Sequence, residues 1–407
     1  MQGVVQLTMA LSGFLLVRVL DKREFAAYTI ATSLQAILSM LTDSGIGTGL
    51  NAVGGRVWRD RGALSRLVST VLEIRFKLAW VAVPVGVGFS LYLFRQNEVP
   101  WLKALSLTAV IIMTLWGLFN TSVYATPLRL HGKYLAVQKL ELVAALIRLT
   151  LLCGLALIFI NALAAVLVAT IGATLQAVLV RRRAAEILDF DAPRDAGQGK
   201  ELMVFIRKQF LTVFFFAFQG QITIWLISIF GNVEKVAELG ALGRLSVLFA
   251  VIASVLNGVV VPTYARCETL ARLVRLFLVS LAAYTVFAGS LFACSVLFPR
   301  EILWVLGAKY AGLTRELPWM VAGSILGGFT GIVWSLATAR GWIWHAWMAP
   351  ILTIALQIIL LNYLNLGEVK GVLIFGWFCS IPMLLLVTYM VVRGIIKSRL
   401  TGTLASC

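Results

Sequence analysis

Long apolar stretches separated by short polar breaks run the whole length of the chain. A hydrocarbon core of ~30 Å is crossed by about 20 helical residues. The pattern predicts twelve spans, at 2 to 20, 25 to 50, 76 to 94, 104 to 127, 137 to 160, 162 to 180, 209 to 230, 236 to 263, 273 to 298, 317 to 338, 343 to 364 and 371 to 392. An even number puts both termini on one side. With span ends read to within a few residues, 23 of the 35 Lys and Arg fall to the even-numbered loops and the C-terminal tail, 9 to the odd-numbered loops, and three lie within spans. Positive residues mark the cytoplasmic side, so both termini are expected in the cytoplasm. Met1 leads straight into the first span with neither the basic segment nor the cleavage site of a signal peptide, and a natural start a few residues upstream is expected.

Composition agrees and narrows the class. The 407 residues are 60% hydrophobic and only 13% charged, against roughly 25% charged in soluble chains, which excludes an ordinary cytosolic enzyme and leaves no room for a large soluble catalytic domain. The expected class is an all-α integral membrane protein. The net charge of +17 would suggest nucleic acid in a soluble chain; here most of it orients the protein, and no nucleic-acid partner is expected. The five cysteines, Cys153, Cys267, Cys294, Cys379 and Cys407, lack metal or disulfide spacing and read as isolated, reduced, structural thiols.

The one linker of any length, Arg181 to Lys208, lies at mid-chain. It implies an N-terminal six-helix bundle over 1–183, a cytoplasmic linker over 184–208, and a C-terminal six-helix bundle with a short cytoplasmic tail over 209–407. Two weak internal matches support a duplication. Glu24 to Tyr28 with Leu34 aligns with Lys235 to Leu239 and Leu245 at an offset of 211, and Arg129 to Gly132 aligns with Thr338 to Gly341 at an offset of 209. Six spans per half give the repeats one orientation, hence a pseudo-two-fold axis along the membrane normal.

Charges left inside spans are the first candidates for chemistry. A mid-helix Arg costs roughly 2.5–3.5 kcal/mol on insertion scales, so Arg18, Arg148 and Arg244 should face protein or a wet cavity. Arg18 is close enough to its span end to snorkel instead. Arg148 follows Glu141 by seven residues on the same helix face, which fits either helix–helix attachment or substrate contact. Arg244 lies about 12 Å into its span at 1.5 Å per residue and is the strongest of the three. The second span carries a polar stripe, Tyr28, Thr32, Gln35, Ser39 and Thr42/Asp43, at helical spacing. A similar stripe, Gln209, Thr212, Gln219 and Thr223, runs down the seventh. Such stripes either hydrogen-bond between helices or line a cavity.

Other signals have ordinary explanations. Gly45, Gly47 and Gly49 resemble a phosphate-binding loop, but they sit within an apolar helix that no strand precedes. Gly323, Gly327 and Gly331 form a ridge for close helix contact. His131 and His345 are too far apart to suggest a metal pair, and Trp58, Trp101, Trp342 and Trp344 fall at span ends as an aromatic belt does. Arg56, Arg59, Arg61, Arg66 and Arg75 form a cytoplasmic link expected to meet lipid headgroups.

Three segments together resemble the polysaccharide-transporter branch of the multidrug/oligosaccharidyl-lipid/polysaccharide exporter (MOP) superfamily, which includes Wzx-type O-antigen flippases. Arg18 to Tyr28, with Glu24-Phe25-Ala26-Ala27-Tyr28, is similar to that family's arginine, short loop and E-F-G-x-Y opening of the second span. Asp43-Ser44-Gly45 is similar to its D-x-G segment, and Gly307 to Tyr310 to its G-x-x-Y stretch. Ala26 replaces the usual glycine. The resemblance implies two six-helix bundles in a MATE-like V around a central cavity lined by the first, second, seventh and eighth spans. It further implies a flippase of the bacterial cytoplasmic (inner) membrane that moves a polyprenyl-diphosphate-linked oligosaccharide from inner to outer leaflet by alternating access, for O-antigen, capsule or exopolysaccharide synthesis.

On that reading Arg244, Arg18 and Arg148 attract the diphosphate, for which guanidinium is suited by its bidentate geometry. Gln35, Ser39, Gln219 and Thr223 contact the glycan, and Asp43 and Glu141 act as charge partners. No cofactor is expected; proton or sodium coupling through Asp43 is an option. Membrane lipids, and a polymerase and glycosyltransferases of the same pathway, are the expected partners. Three alternatives stand beside it. A multidrug exporter of the same superfamily would need more buried carboxylates than Asp43. A lipid II flippase shares the cationic logic and usually has fourteen spans. A membrane polysaccharide polymerase or ligase would need catalytic groups on a large outer loop, and Phe298 to Glu316, the longest, has neither His nor Asp.

Overall fold

The computed structural model describes residues 1–247, 249, 263–264, 267 and 269–401. Among these the regular elements are helical, as the spacing of apolar positions predicts. The first run of helices is α1 (Gln2–Val19), α2 (Lys22–Asp43), α3 (Ile46–Val57), α4 (Arg61–Gln96), α5 (Trp101–Leu130), α6 (Tyr134–Ile158), α7 (Ala162–Ala184), α8 (Ala196–Gln219), α9 (Ile222–Phe230) and α10 (Val233–Leu245). After the undescribed stretch come α11 (Leu270–Leu297), the short α12 (Pro299–Trp304), α13 (Leu317–Ala339), α14 (Met348–Tyr363) and α15 (Val369–Thr401). Nine of the described helices are long and apolar enough to cross a membrane, or ten with Phe210–Gln219 and Ile222–Phe230 taken as one bent span. The eleventh expected span is the shorter α14, of 16 residues. The eighth, 236 to 263, begins within α10, and its residues 248 and 250–262 lie outside the described residues.

Local sequence moves several expected boundaries. The second span does not run from 25 to 50. It stops at Asp43 because Ser44 and Gly45 take left-handed backbone, with φ of 41° and 87°, and α3 starts afresh at Ile46. Gly45 thus sits at a helix break, and Gly47 and Gly49 fall in the opening turn of α3. The third span is longer than 76 to 94. Asp60 caps α4 by accepting from the Ala63 amide at 3.0 Å, and the helix runs 36 residues, about 54 Å. Arg61, Arg66 and Arg75 are therefore helical. The seventh span is not straight: α8 and α9 meet at Gly220 and Gln221 with a bend of 49°.

Contacts divide the chain into two compact units, Met1–Ala237 and Glu238–Cys407, whereas sequence reading places the boundary at 184–208. The linker is held down rather than loose. The amides of Asp189 and Asp195 donate to Ser65 Oγ at 2.8 Å and Thr70 Oγ1 at 3.0 Å, and Arg194 pairs with Glu73 at 3.4 Å. Helix α8 then packs on α2, α3 and α4, so residues 209–230 belong with the first unit.

The two offsets found in the sequence recur as helix ends. Asp21 caps α2 by accepting from the Glu24 amide at 2.7 Å, and Asn232 accepts from the Lys235 amide at 2.9 Å, 211 residues later. Helix α5 stops with Gly132 at φ 74° and Lys133 N bonded to Leu128 O; α13 stops with Gly341 at φ 68° and Trp342 N bonded to Ala337 O. Both are Schellman-type stops, 209 residues apart.

Within the first unit α5 and α7 approach closely at Gly117. A Cβ there would lie 2.9–3.0 Å from the Ala173 and Thr174 backbone, and Thr114 and Thr170 hydroxyls meet at 2.6 Å one turn away. Gly117→Val is expected to destabilise the protein by about 1–3 kcal/mol through overpacking, read as a lower apparent Tm in detergent. Gly154→Ala, where the space is open, should leave it unchanged.

Candidate functional site

Asp43 owes its position to the break after α2. It is the last residue of that helix, and its Oδ2 lies 3.4 Å from where a Cβ on Gly47 would sit. The carboxylate thus rests on the first turn of α3, where the helix dipole favours negative charge. Facing it, α4 presents Leu64, Val68 and Val71 at successive turns of its buried face, and Arg75 is the next position of that stripe, only 4% exposed. A charge buried this deeply must be paired. Arg75 Nη2 lies 3.2 Å from Asp43 Oδ1, Nη1 donates to Phe119 O at 3.3 Å and to Ser122 Oγ, and the guanidinium stands 4.7 Å from the Phe119 ring centroid. Its Nε is buried with no hydrogen-bond partner.

Sequence reading assigned Arg75 to a headgroup-contacting loop and so missed the most buried of the arginines in the first unit. The signal was present. Positions 64, 68, 71 and 75 keep the 4, 3, 4 spacing of a single helix face, and a guanidinium continuing an apolar stripe is buried with that stripe.

Beside the pair lies a cavity of about 450 Å³, lined by Ser39, Asn51, Thr121 and Gln176 together with Asp43 and Arg75. Thr121 Oγ1 is buried without a partner. Arg129 also borders the cavity and is paired with Glu141 at 3.3 Å. Asp43, Arg75 and Arg129 are thus the charged groups of the lining, which mixes hydroxyl and amide groups with apolar side chains such as Ile46, Leu50 and Leu118. Such a surface matches a ligand rich in hydroxyl groups better than a bare organic cation, because the carboxylate a cation would need is already held by Arg75.

Of the expected residues, Ser39 and Asp43 come together at this cavity. Gln35 lies one turn before Ser39 on α2, half-buried. Arg148, half-buried on α6, donates from Nη2 to Tyr28 Oη at 3.4 Å and packs its stem on Gly172. Glu141 pairs with Arg129 rather than Arg148. Arg18 is exposed in the last turn of α1. Gln219 and Thr223, both half-buried, flank the bend between α8 and α9, so the seventh-span stripe is not one continuous face. Arg244 is half-buried in the second unit.

The Glu24 segment has a structural task. Glu24 accepts from the Ala162 amide at 2.7 Å and pairs with Lys103, tying the start of α2 to the starts of α5 and α7. Phe25, Ala26 and Tyr28 beside it are almost fully buried. Among the described residues no group of His, Cys, Asp and Glu is arranged to hold a metal ion.

No family model and no curated protein matches the chain. Solved structures do. The chain is similar to an inward-facing multidrug-resistance MATE-family transporter of the MOP superfamily, with a TM-score of 0.72 and 16% identity over 97% of this chain and 96% of that one. It is similar to the lipid II flippase MurJ in an inward closed conformation, with a TM-score of 0.75 and 12% identity over 97% and 87%. A eukaryotic MATE transporter, AtDTX14, matches with a TM-score of 0.62 and 10% identity over 96% and 95%. The chain has the fold these multi-pass membrane transporters share.

Proposed function

We propose that this protein is a flippase for a polyprenyl-diphosphate-linked oligosaccharide, moving it from the inner to the outer leaflet of the bacterial cytoplasmic membrane by alternating access. The observation that carries the reading is the Asp43–Arg75 cavity. It lies at the arginine-rich end of the first unit, which loop charge assigns to the cytoplasm. It offers hydroxyl, amide and paired charged groups to a sugar. The transporter fold supports the same reading. Arg18, Arg148 and Arg244 are further contacts for the diphosphate, and Asp43 serves first as the charge partner of Arg75. Pathway glycosyltransferases would supply the substrate and a polymerase would consume it.

The test is translocation by the purified protein in liposomes, with a fluorescent glycan on polyprenyl diphosphate trapped in the inner leaflet and a lectin outside. Appearance of glycan to the lectin, dependent on the protein, is expected. Transport of organic cations with no glycan appearing would sink the reading in favour of a multidrug exporter. Lipid II run in parallel decides between glycans, and imposed proton or sodium gradients report on coupling.

A further inference from the structure

One end of the second unit, which loop charge assigns to the cytoplasm, carries a cluster that the candidate site does not use. Helix α15 runs from Val369 to Thr401. Near its end Tyr389, Arg393 and Lys397 follow one another at four-residue spacing and so share one side of the helix. Arg393 stands about 36 Å along α15 from Val369 at 1.5 Å per residue, just beyond a hydrocarbon core of ~30 Å. It therefore lies at headgroup depth.

The loop between α13 and α14 is fastened onto this stripe. Trp342, 1% exposed, seats its indole on the bare backbone of Gly394, where a Cβ would lie 2.2–2.7 Å from the ring. Two residues on, Trp344 packs against the same apolar cluster and meets both cations. The guanidinium carbon of Arg393 lies 5.8 Å from its ring centroid and Lys397 Nζ lies 5.7 Å from it. His345, held in left-handed backbone at φ 61°, faces Arg393 Nη1 through Nε2 at 3.4 Å, and the same Nη1 donates to Tyr389 Oη at 3.3 Å. An arginine can only donate, so Nε2 accepts and the proton of the neutral imidazole sits on Nδ1 as a further donor.

Two cations one turn apart on a helix repel each other, and an aromatic face offsets only part of that repulsion. Both hydrogen-bond partners of Arg393 are neutral, and among the described residues it forms no ion pair. The complement of this group is an acceptor-only anion, and a phosphodiester offers two charged oxygens to the guanidinium fork. The surroundings select its source. Val392 and Ile396, each one position before a cation, are exposed, as are Ile343 and Trp347 on the loop. A free anion gains nothing from these apolar side chains, whereas a phospholipid lays its acyl chains along them.

We propose that Trp344, His345, Arg393 and Lys397 form a binding site for the phosphate of an anionic phospholipid in the cytoplasmic leaflet. The preformed loop distinguishes it from the general attraction of basic residues to a membrane surface. The proposal concerns the second unit alone and stands whatever substrate the protein moves.

The test is native mass spectrometry of the full chain in detergent, titrated with phosphatidylglycerol, with phosphatidylcholine of the same acyl chains and with polyprenyl diphosphate. Phosphatidylglycerol is expected to bind more tightly than phosphatidylcholine, and equimolar inorganic phosphate is expected not to displace it. Arg393→Gln with Lys397→Gln should weaken phosphatidylglycerol binding by about 10- to 30-fold and leave phosphatidylcholine unchanged. Arg182→Gln with Lys200→Gln removes the same charge from exposed positions of the first unit and should change binding by less than about twofold. Arg393→Lys keeps the charge and loses the planar fork, so binding should weaken by about threefold; it is the readout if the double variant does not fold. Equal affinity for the two phospholipids, or an equal loss in the Arg182 and Lys200 pair, would overturn the proposal by reducing the cluster to a basic surface. Displacement by inorganic phosphate would overturn it in favour of a free anion, and tighter binding of polyprenyl diphosphate that depends on Arg393 would overturn it in favour of the carrier lipid.

Discussion

Asp43→Ala is expected to destabilise the protein more than Arg75→Met, although both remove the same ion pair. Losing Asp43 leaves a guanidinium that is 4% exposed without a counter-charge. Removing one partner of a buried pair costs about 3–5 kcal/mol. The Phe119 carbonyl, Ser122 hydroxyl and Phe119 ring remain around Arg75, which puts the expected loss nearer 2–3 kcal/mol, since a hydrogen bond to a charged group contributes about 1.5–3. Losing Arg75 instead leaves a carboxylate that is 37% exposed and rests on the α3 N-terminus. Water and the helix dipole can hold that charge, so the cost should be about 1 kcal/mol. The double variant should be more stable than Asp43→Ala alone, because it removes the stranded charge. Reversible unfolding of the four proteins in mixed micelles gives the cycle. A larger loss for Arg75→Met than for Asp43→Ala would show that the arginine is not the group whose burial demands the pair.

Arg244→Ala is expected to lower glycan translocation by about 10- to 100-fold. A guanidinium on a diphosphate makes charge-assisted, bidentate hydrogen bonds worth about 1.5–3 kcal/mol, and each 1.4 kcal/mol is tenfold. Arg244→Lys should recover only part, since an ammonium keeps the charge and loses the planar fork. The measurement is initial rate in the liposome assay against substrate concentration. Wild-type rates in Arg244→Ala would remove Arg244 from the substrate path and leave the Asp43–Arg75 cavity as the site to pursue.

How much of the site the sequence exposed can be seen residue by residue. Asp43 and Ser39 were legible because a polar stripe at helical spacing needs no partner to be noticed. Arg75 was equally periodic, but its neighbours in sequence are charged, and a loop reading absorbed it. The partner of Glu141 was not legible: seven residues on one helix gave Arg148, while the chain's turn after α5 brings Arg129 to 3.3 Å. The break at Ser44 and Gly45 was hidden too, because hydropathy continues through it.

Hydrophobic pattern and loop charge determined by themselves that this is a helical, multi-pass membrane protein, where its apolar segments lie, and that two distant stretches should end alike. Those properties depend on neighbours in the chain and on the bilayer as solvent, and both are written locally. Only tertiary structure decided that the linker is pinned, that residues 209–230 pack with the first unit, and that Arg75 meets Asp43 beside one cavity. Those depend on which helix faces which, and burial of a charge acquires its meaning only when the group that pairs it, 32 residues away, is in place.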